Sequence, residues 1–430
     1  MNILIINGSP KGKNSITLHT CLYIRKHFPD YNYRVIHAAS MIRSLEKDFT
    51  KAIRMLETAD LIIFSYPVYT FLVPSQLHRF IEIMKDNIAC GKLKLSGKYC
   101  TQITTSKHFY DTTAHDFIED NARDMGLKII NGLSADMEDL TSEKGRREAL
   151  GFFKHVTWTI NEKANISTPL NALKDVVIVA DLAPDDDKLG EMIDEFQENA
   201  GGSCKLVNIH DFNFRGGCIS CFNCSTDGTC IYTDGFQELL RNDIQTGKAI
   251  VIAFSVKDHS MGSQFKLYDD RQFCNGHRTV TMGMPFAYLI NGNISNETNL
   301  LTVIKARAQV GGNYLAGIAS NETDMKESVL DMSRELAFCI DNQYRQSPNF
   351  YGVGGMKIFR DLIWQMQGMM KADYKFYKEH GQLDFPQKEP GKMLAMYAVG
   401  AMMGSDWFKK QAGNKMTEGM LAPYKKALKK

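Results

Sequence analysis

Four cysteines stand within thirteen residues: Cys218, Cys221, Cys224 and Cys230, in the stretch GGCISCFNCSTDGTCIYTD (Gly216–Asp234). Their spacing is C-x2-C-x2-C-x5-C. Thiolate is a soft ligand, and four thiolates on one short loop suit zinc or an iron–sulfur cluster. Glycines and small polar residues surround them, which predicts a loop rather than a strand or helix. Structural zinc usually takes two pairs of ligands held apart by a dozen or more residues, so that the chain wraps one ion. Three cysteines at consecutive x2 intervals instead wrap one corner of a larger object, as around iron–sulfur cubanes. The ferredoxin run ends C-x3-C-P, whereas here the last gap is five residues and Ile231 follows. The loop points to a cluster first, with zinc and a structural or redox thiol loop as alternatives. A disulfide framework does not suit a long chain that shows no sign of secretion.

The second stretch with chemistry in it is GSPKGKNS (Gly8–Ser15). It joins a short apolar run, Ile3–Asn7, to an amphipathic pattern over Ile16–Phe28, so it reads as a loop between a buried strand and a helix. Free N–H groups and the helix dipole make such a helix start an anion site. The nucleotide P-loop pattern fails, because three residues separate Gly8 from Gly12 and Lys13 is followed by Asn14. The dinucleotide fingerprint G-x-G-x-x-G is absent as well. The hydroxyls of Ser9, Ser15 and Thr17 suit a terminal monoester phosphate such as that of FMN. The alternative is a plain strand–helix turn.

These two stretches need elements to position them. Apolar runs at Tyr33–His37, Leu61–Ser65, Lys98–Thr105 and Lys128–Leu133 predict four further strands, and Gln76–Met84 and Glu143–Glu162 predict helices. Strands alternating with helices make a doubly wound parallel sheet. Ligands of such sheets bind outside the carboxyl ends of the strands. The first, third and fourth strands end in GSPKGKNS, YPVYTFLVPSQ (Tyr66–Gln76) and TTSKHFY (Thr104–Tyr110). The first suits phosphate, and the other two suit a flat ring. The competing reading of Tyr66, Tyr69 and Phe71 is ordinary packing.

After a polar linker, Asn165–Lys174, the pattern repeats. Leu61–Ile83 lies on Ala249–Arg271 without a gap at an offset of 188 (Ile62 to Ile250), and the first strands align at 173. The chain reads as two copies of one α/β domain. The cysteine loop falls in the insertion between the first and third strands of the second copy. There GSPKGKNS is replaced by DLAPDDDK (Asp181–Lys188), and Asp185, Asp186 and Asp187 put negative charge where a phosphate would sit. Pro67-Val68-Tyr69 becomes Ser255-Val256-Lys257. The expectation is flavin in the first copy and the metal group in the second.

On these motifs the chain resembles the iron–sulfur flavoproteins and the wider NADPH-dependent FMN reductase family. The cysteine loop is similar to the compact motif of the former. GSPKGKNSIT and YPVYTFLVPSQL resemble the phosphate and ring loops of the latter. The resemblance covers roughly residues 1–340 and implies a flavodoxin-like fold in two tandem copies. It implies FMN, a 4Fe–4S cluster ligated by Cys218, Cys221, Cys224 and Cys230, and transfer of electrons between the two. It assigns the phosphate to Ser9, Lys11, Ser15, Ile16 and Thr17. It assigns the ring to Pro67, Val68, Tyr69, Thr70 and Phe71 with Thr105, Ser106 and Lys107. NAD(P)H is a candidate donor. Family members form oligomers in which cluster and flavin meet across subunits; here the motifs are split between domains, and a fused pseudo-dimer would have to bring them together. The alternatives are an NAD(P)H-dependent quinone, nitro or azo reductase without a cluster, and a non-catalytic electron carrier.

The expected organisation is a flavin domain at 1–165, a degenerate copy with the cysteine loop at 175–343, and a helical, Met-rich extension at 344–430. In the extension Met356, Phe359, Ile363, Met366 and Met370 recur at helical spacing, and packing across the two domains or a homodimer is expected. Met393–Met403 is too short to span a bilayer. Lys425, Lys426, Lys429 and Lys430 predict a solvated end. Over 430 residues, 44% hydrophobic and 23% charged content is ordinary for a globular protein, and a net charge of +2 gives no reason to expect nucleic acid. The opening MNILIINGSPKG carries no basic leader, so a cytoplasmic setting is expected, with a small-molecule or protein electron donor and acceptor and a possible homo-oligomer. His78, His108, His259 and His277 stand alone, with no nucleophile or metal spacing around them, and structural or surface roles are expected of them. Cys274 and Cys339 read as buried thiols, and Asp269-Asp270 as a surface pair rather than an acid/base couple.

Overall fold

Strand β1 (Asn2–Asn7) is buried from Ile3 onward. Ile3 and Ile5 pack on one face with Leu18, Ile24, Phe152 and Phe153, while Leu4 and Ile6 pack on the other with Leu77, Phe80 and Ile118. Successive side chains of a strand point to opposite faces, so an unbroken apolar run needs helices on both sides. A fully buried Ile or Leu side chain contributes about 1.5–3 kcal/mol. Runs of this kind therefore dictate the layered architecture. The computed structural model describes residues 1–202, 204–385, 390–403, 418–419 and 421–429. The chain divides into one unit of Met1–Ile160 with Phe385–Lys430 and a second of Asn161–Asp384.

In the first unit, β1 is followed by β2 (Asn32–Ile36), β3 (Leu61–Pro67), β4 (Tyr99–Ser106), β5 (Lys128–Ile129) and β6 (Leu133–Asp136). The spatial order is β2-β1-β3-β4-β5, with β6 also on β4, and every pairing is parallel. This is the flavodoxin-like order. The fifth strand, expected to be continuous over Lys128–Leu133, is interrupted at Ile130–Gly132. A Cβ on Gly132 would come within 2.4 Å of the Gln102 side chain and 2.8 Å of its carbonyl oxygen, so the chain passes here too close for a side chain.

The second unit repeats the order. Strands β7 (Val176–Ala180), β8 (Lys205–Asn208), β9 (Ala249–Ser255), β10 (Pro285–Asn291) and β11 (Tyr314–Ser320) form an all-parallel sheet ordered β11-β10-β9-β7-β8. Ile3 pairs with Leu61 and Val176 with Ala249, which reproduces the offsets of 173 (Ile3 to Val176) and 188 (Leu61 to Ala249). The second strands align at 171 (Arg34 to Lys205), so the second copy carries 17 more residues between its second and third strands. Cys218–Cys230 lies in that insertion.

The repeat extends to backbone detail. Tyr69 and Leu72 exchange both backbone hydrogen bonds around Thr70 and Phe71, at φ +46° and +71°. At an offset of 188, Lys257 and Ser260 do the same around Asp258 and His259, at φ +50° and +58°. Two successive left-handed residues in non-glycine positions are uncommon. The strained turn survives in both copies although its side chains do not.

The residues expected to form one extension divide between the two units. Helices Phe350–Gln365 and Lys371–Glu379 belong to the second, and the Met stripe turns inward there. Ile363, Met370 and Tyr377 are buried, with Met356, Phe359 and Met366 packed against them. Within the second unit the stripe thus forms the core of a small helical layer. Residues 421–427 are helical and dock on the first unit, where Leu421, Tyr424 and Ala427 pack with Tyr23 and Leu140. Lys425, Lys426 and Lys429 cover the outer side of that docked helix, and Lys430 lies outside the described residues. Among the described residues no helix is long and apolar enough to cross a membrane.

Candidate functional site

The carboxyl ends of β1, β3 and β4 surround a cavity of about 250 Å³. Its wall contains Ser9, Lys11, Ser15, Ile16 and Thr17 from the first loop, Pro67–Phe71 from the second and Thr105–Lys107 from the third. Phe109 and Met137 complete it. All thirteen residues singled out for a flavin therefore share one enclosure.

On the phosphate side, Ser15 caps helix Ile16–His27 by accepting from the Leu18 N–H at 3.2 Å. The first N–H groups of a helix have no intrahelical acceptor. Those of Ile16 and Thr17 find none elsewhere among the described residues. Ser9, Ser15 and Thr17 are buried while Lys11 is exposed. The Thr17 and Thr105 hydroxyls meet at 2.5 Å and tie the first loop to the third. Two free amides, several hydroxyls and one exposed cation fit a dianionic monoester.

On the other side, Tyr66 is buried and bonded to Gln102 at 2.6 Å, so ordinary packing describes it. Tyr69 and Phe71 are 45% and 43% exposed and Phe109 is 60% exposed, so this rim presents uncovered aromatic surface. Phe71 and Tyr110 meet edge to face at 4.7 Å. Thr113 fixes the turn by donating to the Phe71 carbonyl at 2.5 Å.

Behind the third loop lies a network that the sequence reading missed. His108 is buried, not isolated: its Nδ1 is 3.0 Å from the Asp111 carboxylate, which also accepts from Ser134. The His108 N–H donates to the Ser106 hydroxyl at 2.9 Å, and Lys107 pairs with Asp136 at 2.8 Å. The only local signal is a histidine three residues before an aspartate at a helix start.

The second unit carries the cysteine loop. Cys218, Cys221, Cys224 and Cys230 all line one cavity of about 220 Å³, with Ile219, Phe222, Phe273, Cys274, Gly276 and His277 among its other walls. Among the described residues no three His, Cys, Asp or Glu side chains are gathered to hold a single metal ion. Three arginines brace the loop. Arg271 is almost fully buried, forks onto the Asp234 carboxylate at 2.8 and 2.9 Å, and donates to the Gly216 carbonyl at 2.9 Å. It lies over Tyr232, with its guanidinium carbon 4.3 Å from the ring centre. Arg241 holds the Gly228 and Cys274 carbonyls, and Arg278 holds that of Cys224. Short glycine-rich loops have little core of their own, so polar bracing of this kind fixes the thiols. Burial raises the Cys224 thiol and pushes that of Cys274 up to about 12. Cys274 and Cys339 are buried thiols, as expected. His277 is not isolated: it contacts the buried Asp373. Asp269 is partly covered and pairs with Arg307, while Asp270 is more exposed and pairs with Lys266.

The Arg271 fork holds the Asp234 carboxyl at about 2, below its ordinary 3.8. A lowered folded-state value means stability that is present above the ordinary range and lost as pH falls through about 2. Asp234→Asn leaves a buried guanidinium without its counter-charge. We expect a loss of about 3 kcal/mol in urea unfolding of the second unit's transition. An unchanged midpoint would contradict this bracing role.

At the phosphate position of the second copy, Asp186 takes the part of Ser15. Its carboxylate caps helix Asp187–Asn199 by accepting from Leu189, and accepts from Ser255 and, at 3.0 Å, from Asn291. These partners end β9 and β10, so a carboxylate of the chain itself fills the helix start.

Residues 1–116 match the family model of the NADPH-dependent FMN reductases. The match spans all three loops of the first cavity. An iron–sulfur flavoprotein of Archaeoglobus fulgidus is 26% identical over 195 residues, covering 43% of this chain and 87% of that protein. Similar solved structures include an NADH:FMN oxidoreductase in its apo form, at 19% identity and TM-score 0.32, covering 37% of this chain and 90% of that one. Another is an FMN-dependent NADH-azoreductase from Bacillus anthracis in complex with FMN, at 13% identity and TM-score 0.28, covering 38% and 99%.

Proposed function

We propose that this chain is an iron–sulfur flavoprotein oxidoreductase. FMN is held at the first cavity, by Ser9, Lys11, Ser15, Ile16 and Thr17 at the phosphate and by Pro67–Phe71 with Thr105–Lys107 at the ring. A 4Fe–4S cluster is held by Cys218, Cys221, Cys224 and Cys230. The observation that carries the reading is the single cavity that all four loop cysteines line. The family match over the first domain and the iron–sulfur flavoprotein relative support it.

When bound, FMN accepts two electrons together or singly, and the cluster moves one. The residues of the chain bind and tune. The free amides of Ile16 and Thr17 orient the phosphate and so set the depth of the ring. The turn at Thr70 and Phe71 and the Thr105–Lys107 loop would hold the ring, with Lys107 kept in place by its pairing with Asp136. At the second site, Arg271, Arg241 and Arg278 fix the backbone that carries the thiolates. A pyridine nucleotide or a reduced protein carrier is the donor class.

An anaerobic reductive titration tests the reading. A chain holding both groups takes up about three electrons, two on the flavin and one on the cluster. A chain that takes up only two, all of them on the flavin, would be a flavin reductase without a cluster.

A further inference from the structure

The helix Lys371–Glu379, from the C-terminal extension, packs against the short helix Asn223–Asp227 that carries Cys224. Its Asp373 is completely buried. One carboxylate oxygen accepts from Arg278 Nη1 at 2.7 Å. The other accepts from the His277 backbone N–H at 3.1 Å and stands 3.2 Å from His277 Nδ1. One turn later Tyr377 donates its hydroxyl to the His277 carbonyl at 3.1 Å. A carboxylate without water around it is costly unless it is paired and hydrogen-bonded, and here every partner belongs to the segment His277–Arg278.

That segment is a wall of the cysteine cavity. Gly276 and His277 line it together with all four loop cysteines. Arg278 spends its Nη1 on Asp373 and also on the Cys224 carbonyl, at 3.0 Å, and the Cys224 thiol donates to the Phe273 carbonyl at 2.9 Å. Asp373, Arg278 and Cys224 thus form one connected chain of contacts. Gly276 has φ +61°, and a Cβ on it would lie 2.3 Å from an Asp373 oxygen. Only a glycine lets the carboxylate approach this closely.

Resting on the iron–sulfur reading, we propose that Asp373 is a positioning residue of the cluster site. It locks His277 and Arg278 against the Cys224 turn, and its charge offsets that of Arg278 beside the cluster. Groups outside the ligand shell fix the ligands' orientation, and their loss commonly costs 10–100-fold in metal affinity. Charge near a cluster also sets its potential. Removing the Asp373 charge leaves Arg278 uncompensated and favours the reduced cluster. The extension's helix is then part of the redox site, not a passive cover.

The test compares full-length wild type, Asp373→Asn and Gly276→Ala after anaerobic reconstitution with iron, sulfide and FMN. We expect both variants to keep wild-type FMN content and to release iron to a chelator about tenfold faster. We expect the cluster midpoint of Asp373→Asn, read by EPR-monitored titration, to move to more positive potential. Gly276→Ala displaces the same carboxylate without altering its charge, so it carries the test if Asp373→Asn does not fold. Loaded wild type alongside variants with unchanged release rates and an unchanged potential would overturn the inference alone. Wild type that takes up no iron would overturn the iron–sulfur reading and this inference with it.

Discussion

Cys221→Ser is expected to lose most of its iron and acid-labile sulfide while keeping its FMN. Cys221 is the middle of the three closely spaced cysteines, with two residues between it and each neighbour. Ser220 and Phe222 on either side have φ +53° and +60°, which fixes the direction in which the Cys221 side chain leaves the loop. Serine offers a harder oxygen with a much higher pKa, a poor substitute for a soft thiolate. Losing a ligand outright should cost more than the 10–100-fold typical of groups around a site. The side chain is exposed, so the fold itself should change by no more than about 0.5 kcal/mol. Iron analysis beside a flavin spectrum reads the result. A serine variant with full iron and sulfide would show that the loop does not ligate a cluster.

Ser15→Asp should abolish FMN binding without unfolding the first domain. Ser15 caps its helix by accepting from the Leu18 N–H, and aspartate caps as well as serine does. The chain contains the outcome of that exchange, since Asp186 caps the corresponding helix of the second copy. A carboxylate at Ser15 would cap the same Leu18 N–H, and beside the free Ile16 and Thr17 amides it would repel the dianion. Hydrogen bonds to charged groups contribute about 1.5–3 kcal/mol each, so losing one and adding repulsion should weaken FMN at least about 100-fold. Flavin fluorescence on titration measures the affinity, and the thermal midpoint reports the fold. Ser15→Asp that binds FMN like wild type would show that the phosphate sits elsewhere.

The doubly wound sheets were legible because strands buried on both faces leave unbroken apolar runs, such as Ile3–Asn7 and Leu61–Ser65. The repeat was legible for the same reason, through offsets that the strand registers reproduce. That three loops meet at one site was legible because ligand loops of such sheets lie at the ends of neighbouring strands; the thirteen residues that line the cavity were those the family resemblance implied. Other features had no local signature. Thr70 and Phe71 adopt left-handed backbone, and neither residue type announces it. The bond between His277 and Asp373 spans 96 residues, so only the packed fold could reveal it. The Met356–Met370 stripe marked a buried helix face correctly, but periodicity alone does not say what lies opposite. It faces Tyr377 in its own helical layer.

The central claim is that a duplicated chain divides two cofactors between its copies. The most direct measurement is the FMN and iron content of Ser15→Asp and Cys221→Ser, each reconstituted anaerobically as a full chain beside wild type. Ser15→Asp should keep its iron without FMN, and Cys221→Ser its FMN without iron. Variants that lose both groups together, or neither, would contradict the claim.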